Sequence, residues 1–471
     1  MALHRRQTSF PNFSWRIEDI GSLTDELGRR QIAEEIANRL RGPERPGVIG
    51  VYGSWGSGKT YLLSQVIRLL LEQNCREKNQ VLVCVFQAWK YEMEGNLAAG
   101  LIKALSHIAE SAEEFWRVSG CCHPQLPEPE RHNYKEIARE LIQLILDIGP
   151  DVLSLLYPPA GPPAKAIQPI AKKLAKKSGA ENSHDILESV TDKIYLKVNK
   201  LVESILNAAE KADSTRQYRL AIFIDDLDRC SPEDMVRMFE WMKVHLRAEN
   251  CTYVLALDHM AAARAIVGRY REYLGEEEDI AYGLRYLEKL VDIEYELGPS
   301  QGTEFMAVKQ IFRHPTWHRL SEAARADYGS DFPGLREMDR LLALPCLCTP
   351  RTMLKIVYKF QNLFSLTLED NASAARLRSM LPASYPFWLL FLIAMYYQLE
   401  PERLTEFIQG RGPVHLCLQH QENPENYVGP LKEFCQFAAQ IAGGARSLPL
   451  PSPEMMEYLA RMVRENILPP I

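Results

Sequence analysis

The sequence predicts an α/β protein: a three-layer core around a parallel sheet, a helical insertion within that core, and a mostly helical C-terminal domain. Three features of the chain lead to this reading. Five short β-rich runs, 48–52, 81–86, 220–224, 253–257 and 291–295, are spaced widely enough for at least one helix between neighbours, which implies parallel strands joined by crossovers. Residues 87–219, between the second and third runs, are far more than one crossover helix requires and so must hold an insertion. Beyond Pro299 no strand alternation persists, and glycine and proline punctuate what read as helices. The implied division is an N-terminal extension over 1–23, a core over 24–299 with its insertion at about 98–212, and a helical domain over 300–471.

Taken in order, 24–40 opens with a capping threonine and repeats apolar residues at helical spacing, so an amphipathic helix precedes the first strand. Leu62, Leu63, Val66 and Leu69 give the helix after the first strand its period. Inside the insertion, 141–156 is apolar but interrupted by Asp147, Gly149, Pro150 and Asp151, and 157–163 is a proline-rich break. Lys172, Lys173, Lys176 and Lys177 follow as a basic tract, read as a solvated helix face, with contact to anionic lipid or nucleic acid as the alternative. Leu187, Val190, Ile194, Val198, Leu201 and Ile205 then mark a long amphipathic helix.

Composition narrows the function. A chain of 471 residues with 46% hydrophobic and 25% charged residues is ordinary globular protein, and a net charge of −6 argues against nucleic acid as the main ligand. The ten cysteines include no C-x-x-C pair, and neither Cys121-Cys122-His123 nor Cys346 with Cys348 has the spacing of a tetrahedral metal site. No secretory leader pattern is present, so the chain reads as cytoplasmic. No run reaches the ~20 apolar residues of a membrane span; 141–156 and 387–397 read as core helices.

The chemistry concentrates at two places. Gly53-Ser54-Trp55-Gly56-Ser57-Gly58-Lys59-Thr60 lies where a strand hands over to a helix that opens with Tyr61. Glycines there let backbone N–H groups turn around phosphates, the helix aims its positive end at them, Lys59 would bridge the β and γ phosphates, and the Thr60 hydroxyl would ligate Mg²⁺. The second place is the apolar run Leu220-Ala221-Ile222-Phe223-Ile224, ending in Asp225-Asp226-Leu227-Asp228-Arg229. A carboxylate is needed beside the loop at the carboxyl end of a neighbouring strand. Asp225 is the candidate for the magnesium side, Asp226 for orienting or deprotonating the attacking water, Asp228 the rival base, and Arg229 a candidate to hold these carboxylates or reach phosphate. Asp258 and His259 end the fourth run, as a phosphate sensor or a helix cap. No Asn-Lys-x-Asp guanine signature occurs, which favours ATP.

With these residues in place, the chain resembles the KAP family of P-loop triphosphatases. The likeness is carried by Asp25-Glu26-Leu27-Gly28-Arg29, the loop 53–60, Phe86-Gln87-Ala88-Trp89-Lys90-Tyr91-Glu92, the segment 223–230, Tyr286-Leu287-Glu288-Lys289 and Thr349-Pro350-Arg351-Thr352, over about residues 20–365. Members often carry transmembrane helices inserted between loop and acidic strand; this insertion sits in the same place but holds no such span, so the resemblance implies the soluble type. It further implies that Arg351 or Lys355 approaches the nucleotide.

The function expected is a Mg²⁺-dependent ATPase acting as a switch, in which nucleotide state sets domain arrangement or assembly with itself or a protein partner. Arg264, Arg269, Arg271 and Arg285 are candidates for a finger completing a neighbouring subunit's site. A nucleotide-bound scaffold with little turnover is the alternative from another class, and a small-molecule kinase a third. The resemblance permits antiviral defence or membrane-linked signalling, with peripheral membrane contact, as the setting.

Overall fold

A computed structural model describes residues 28–298, apart from 44–45, 75–77, 112–125, 149–182, 245–247 and 272–279, together with scattered positions between 355 and 439. The chain divides into two compact units, 1–25 with 29–298 and 26–28 with 299–471.

The first described element of the first unit is helix α1 (Arg30–Arg41), whose Ala33, Ile36, Ala37 and Leu40 form one buried stripe. The expected start at 24 is not seen: Gly28 has φ 62°, which no helix continues through, and 24–27 lie outside the described residues. Strand β1 (Val48–Tyr52) is buried along its whole length. Helix α2 (Lys59–Asn74) leads to β2 (Asn79–Gln87); β3 is Gln217–Asp225, β4 Cys251–Leu257 and β5 Ile293–Glu296. All five strands pair in parallel in the order β2-β3-β4-β1-β5.

This order corrects one expectation. The acidic strand β3 is not the neighbour of β1, because β4 lies between them, with Tyr52 opposite Leu257 and Ile224 opposite Leu255. Each central strand alternates its side chains between two cores. Ile49 and Val51 face the core of α1 and α2, with Leu63, Val66 and Phe223, while Val48 and Tyr52 face the opposite core.

That opposite core also holds the insertion. Helices α3 (Ala88–Glu92), α4 (Leu97–Ser106), α5 (Glu128–Ile148) and α6 (Ser183–Ala212) follow β2. Leu101, Tyr134, Leu141, Ile194, Val198 and Leu201 are buried in the same cluster as the sheet residues Ile222 and Leu255. The described helices of the insertion are therefore continuous with the sheet's core. Lys197–Glu140 at 2.5 Å and Lys211–Glu130 at 2.6 Å bind α6 to α5 at the surface. Helices α7 (Pro232–Val244), α8 (His259–Tyr270) and α9 (Ile280–Leu290) are the remaining described helices of the unit.

In the second unit the described elements are α10 (Pro413–Leu418) and a 3-10 turn over Pro424–Asn426, with Cys417 and Cys435 buried and Lys432 paired with Glu425 at 2.6 Å. The expected helices at 387–397, the basic tract at 172–177, the cysteines at 121, 122, 346 and 348, and Arg351 lie outside the described residues. Among the described residues no helix is long and apolar enough to cross a membrane, and no His, Cys, Asp or Glu group could hold a metal by itself.

Candidate functional site

The site forms at the carboxyl ends of β1, β3 and β4. After Tyr52 the chain leaves the sheet at Gly53, whose N–H donates to the Leu257 carbonyl at 3.2 Å. Gly56 and Gly58 have φ of 89° and 94°, the alternation that turns successive N–H groups toward one concavity. Gly53 leaves no room for a side chain, since a Cβ there would sit 2.5 Å from Ser57 Oγ and 3.2 Å from Leu297 Cβ. The Ser57 hydroxyl is buried without a hydrogen-bond partner. Trp55 stands 65% exposed at the loop's crest, Ser54 is exposed, and Tyr61 lies in the first turn of α2.

Lys59 is folded into this loop. Its Nζ donates to the Gly53 carbonyl at 2.9 Å and the Ser54 carbonyl at 3.4 Å, and meets Asp228 Oδ2 at 3.2 Å. Beside it the Thr60 hydroxyl donates to Asp225 Oδ2 at 2.7 Å, joining loop and acidic strand across 165 positions of sequence. Although β4 intervenes in the sheet, the two halves expected from sequence therefore meet.

The acids are distinguished by their surroundings. Asp225 is 1% exposed; burial raises its pKa, opposed by the hydrogen bonds from Thr60 and from the Asp226 N–H. Asp226 has φ 59°, so the backbone reverses at this residue. Burial, then the Asp225 charge, push its carboxyl up to about 6, while Arg229, at 2.8 Å, pulls it down. Asp228 sits in the 3-10 turn Leu227–Arg229 and accepts the Asp258 N–H at 3.0 Å. Asp258 caps α8, accepting from Met260 N and Ala261 N, which is the cap rather than the sensor reading of that side chain. His259 stacks on Tyr52 at 5.4 Å, with Nδ1 buried and unpartnered. Of the finger candidates, Arg269 meets Glu233 at 3.5 Å, while Arg264, Arg271 and Arg285 are exposed. Lys355 is an exposed helical residue of the second unit.

Strand, glycine-turned loop, buried lysine and paired acids at one sheet edge are the parts of a phosphate-binding site, and residues 29–367 match the KAP family P-loop domain. The chain belongs to the KAP family of P-loop NTPases. It is also 24% identical over 293 residues to the phage T7 exclusion protein of Escherichia coli strain K12, an alignment covering 60% of this chain and 34% of the relative. The chain thus spans about a third of that relative's length.

Within this KAP domain the structure adds residues that the sequence reading did not assign. Gln87, fully buried at the end of β2, pairs in register with Asp225. Lys90 lies within the field of Asp226, and Glu92 accepts the Ser231 N–H at 2.5 Å. All three belong to the segment 86–92 that carried the family resemblance, which was the available signal; their placement depends on the β2–β3 register, which no local pattern encodes. The site fits a nucleotide phosphate chain on the orphaned Ser57 hydroxyl, the left-handed Gly56 and Gly58, and the buried Lys59.

Proposed function

We propose that this KAP protein is a Mg²⁺-dependent ATPase whose nucleotide state switches its domain arrangement or assembly. The observation that carries the reading is the Thr60–Asp225 hydrogen bond, which brings the loop and the acidic strand to one point with Asp226 alongside. In this reading the loop amides over 53–60 and the Ser57 hydroxyl bind the phosphates. Lys59 exchanges its Gly53 carbonyl and Asp228 partners for phosphate oxygens. Thr60 and Asp225 would hold Mg²⁺, which when bound supplies positive charge to the β and γ phosphate oxygens.

Asp226 then orients the attacking water and accepts its proton at a carboxylate oxygen. In the metal-free site burial and the Asp225 charge hold the Asp226 carboxyl above an ordinary aspartate, the direction that suits a base. Arg229 holds that carboxylate in place, and Asp228 anchors the turn on β4 through the Asp258 N–H. Base identity is assigned to adenine because no guanine-reading motif occurs. The buried free thiols Cys84, Cys230 and Cys251 suit a reducing compartment, in keeping with a cytoplasmic setting.

The biological setting we propose is antiviral defence, on the likeness to the phage T7 exclusion protein. The test of the switch is light scattering of the purified protein with no nucleotide, ADP, or a non-hydrolysable ATP analogue. A mass or radius that differs between the diphosphate and triphosphate states is expected; identical profiles in all three would leave a scaffold as the better reading. For the setting, a bacterial host expressing wild type should plate phage less efficiently than one expressing Asp226→Asn, and equal plating would sink the defence proposal.

A further inference from the structure

Asp226 lies near two cations of different standing. Arg229 is committed to it at 2.8 Å. Lys90 is half-buried and feels the Asp226 carboxylate, yet makes no hydrogen bond or ion pair with any described residue. Burial holds its pKa below the ordinary lysine value, with Asp226 opposing that shift.

Its position is fixed by its neighbours. Helix α3 starts at Ala88 directly after Gln87, with no linker, and Gln87 is in register with Asp225. Tyr91, next to Lys90, is buried, stacks on Phe86 at 5.0 Å, and crowds Gly100 so closely that a Cβ there would meet its ring at 2.8 Å. Glu92 ties the same helix to Ser231, just past the turn that carries Asp228 and Arg229. The backbone of α3 is thereby held beside the turn that carries the acids, and the Lys90 side chain extends from that fixed point. A lysine ammonium partly removed from water is stabilised by an anion brought beside it, and the anion this sheet edge is shaped for is a phosphate.

We propose that Lys90 is a ligand for the terminal phosphate of the bound nucleoside triphosphate, so that α3 distinguishes triphosphate from diphosphate. This rests on the nucleotide reading above and deepens it: Lys59 serves any phosphate chain in the loop, whereas Lys90 responds to the third phosphate alone. It gives the switch a contact that exists before hydrolysis and is lost after it.

The experiment is calorimetric titration of full-length wild type, Lys90→Met and Lys90→Arg with Mg²⁺ and either ADP or adenylyl imidodiphosphate, alongside melting of the ligand-free proteins. A lost charge-assisted hydrogen bond corresponds to a weakening of roughly tenfold to a hundredfold. Lys90→Met should weaken the imidodiphosphate by that factor, leave ADP within about twofold and the ligand-free melt unlowered, and Lys90→Arg should recover part of the loss. Equal loss for both nucleotides, or no loss for either, overturns the assignment while leaving the nucleotide reading standing. Wild type binding neither nucleotide overturns both. Should Lys90→Met not fold, Lys90→Gln carries the same comparison.

Discussion

Lys59 holds the loop from within. Its ammonium and the Asp228 carboxylate are each 8% exposed and 3.2 Å apart. Removing one member of a buried pair leaves the other charge uncompensated, at about 3–5 kcal/mol. Asp228 retains the Asp258 N–H, so Lys59→Ala should destabilise the ligand-free protein near the lower end of that range. In denaturant titrations the double variant Lys59→Ala with Asp228→Ala should be more stable than the sum of its parts by roughly 1–3 kcal/mol; simple additivity would show that the pair is not coupled. At Gly53 the constraint is space, since the side chain of alanine would collide with Ser57. Gly53→Ala should lower the ligand-free melt by the cost of displacing Ser57, about 1–3 kcal/mol, and should also lose the nucleotide-induced rise in melting temperature; a retained rise would contradict the cradle. These residues were legible because the loop is contiguous: spacing alone places Gly53, Gly58, Lys59 and Thr60. Lys90 and Gln87 were not, since their chemistry arises from strand register.

At the scale of elements, α8 and α9 meet at a position that tolerates no side chain. A Cβ on Gly283 would lie 2.3 Å from the Ala263 carbonyl oxygen. Gly283→Ala must push the helices apart, an overpacking cost of about 1–3 kcal/mol, and should lower the melting temperature of the first unit by several degrees; an unchanged melt would mean the contact is loose. Nearby, α7 carries Glu240, buried and accepting the Tyr270 hydroxyl at 2.6 Å. Burial raises its pKa above the usual 4.5, with Tyr270 opposing. The folded state then keeps this proton to higher pH than the unfolded state, so stability is lost as pH rises from the unfolded value through the folded one. Glu240→Gln keeps a side-chain acceptor and does not ionise. Its melting temperature relative to wild type should climb as pH is raised from about 4.5 toward neutral, whereas a constant difference would show that Glu240 does not titrate in that window. The strands themselves were legible as β-branched runs, β1 over the same residues, and α6 through its apolar period. The start of α1 was not: the capping threonine at 24 is a local signal, whereas the left-handed Gly28 breaks the helical pattern after it.

For the whole molecule, strand order escaped the sequence. The acidic strand had to approach the loop, but whether β4 would intervene depends on how the crossovers stack, and periodicity says nothing about that. The long insertion was visible as a gap, while its union with the sheet's core was not, because apolar spacing marks a face without naming what covers it. A ligand that binds only the folded state stabilises it by RT ln(1 + [L]/Kd), about 2.7 kcal/mol at a hundredfold excess over Kd. With two compact units, unfolding need not be a single transition. Mg²⁺ and ATP should therefore raise the transition of the unit holding 29–298, and a chain whose melting is indifferent to saturating nucleotide would not carry the proposed site. Whether Asp226, just past β3, drives turnover is read from phosphate release from ATP and Mg²⁺ by purified wild type beside Asp226→Asn. Steady release by wild type is expected, with a loss of at least about a hundredfold in the variant while nucleotide stays bound; equal release by the two would remove Asp226 from the chemistry.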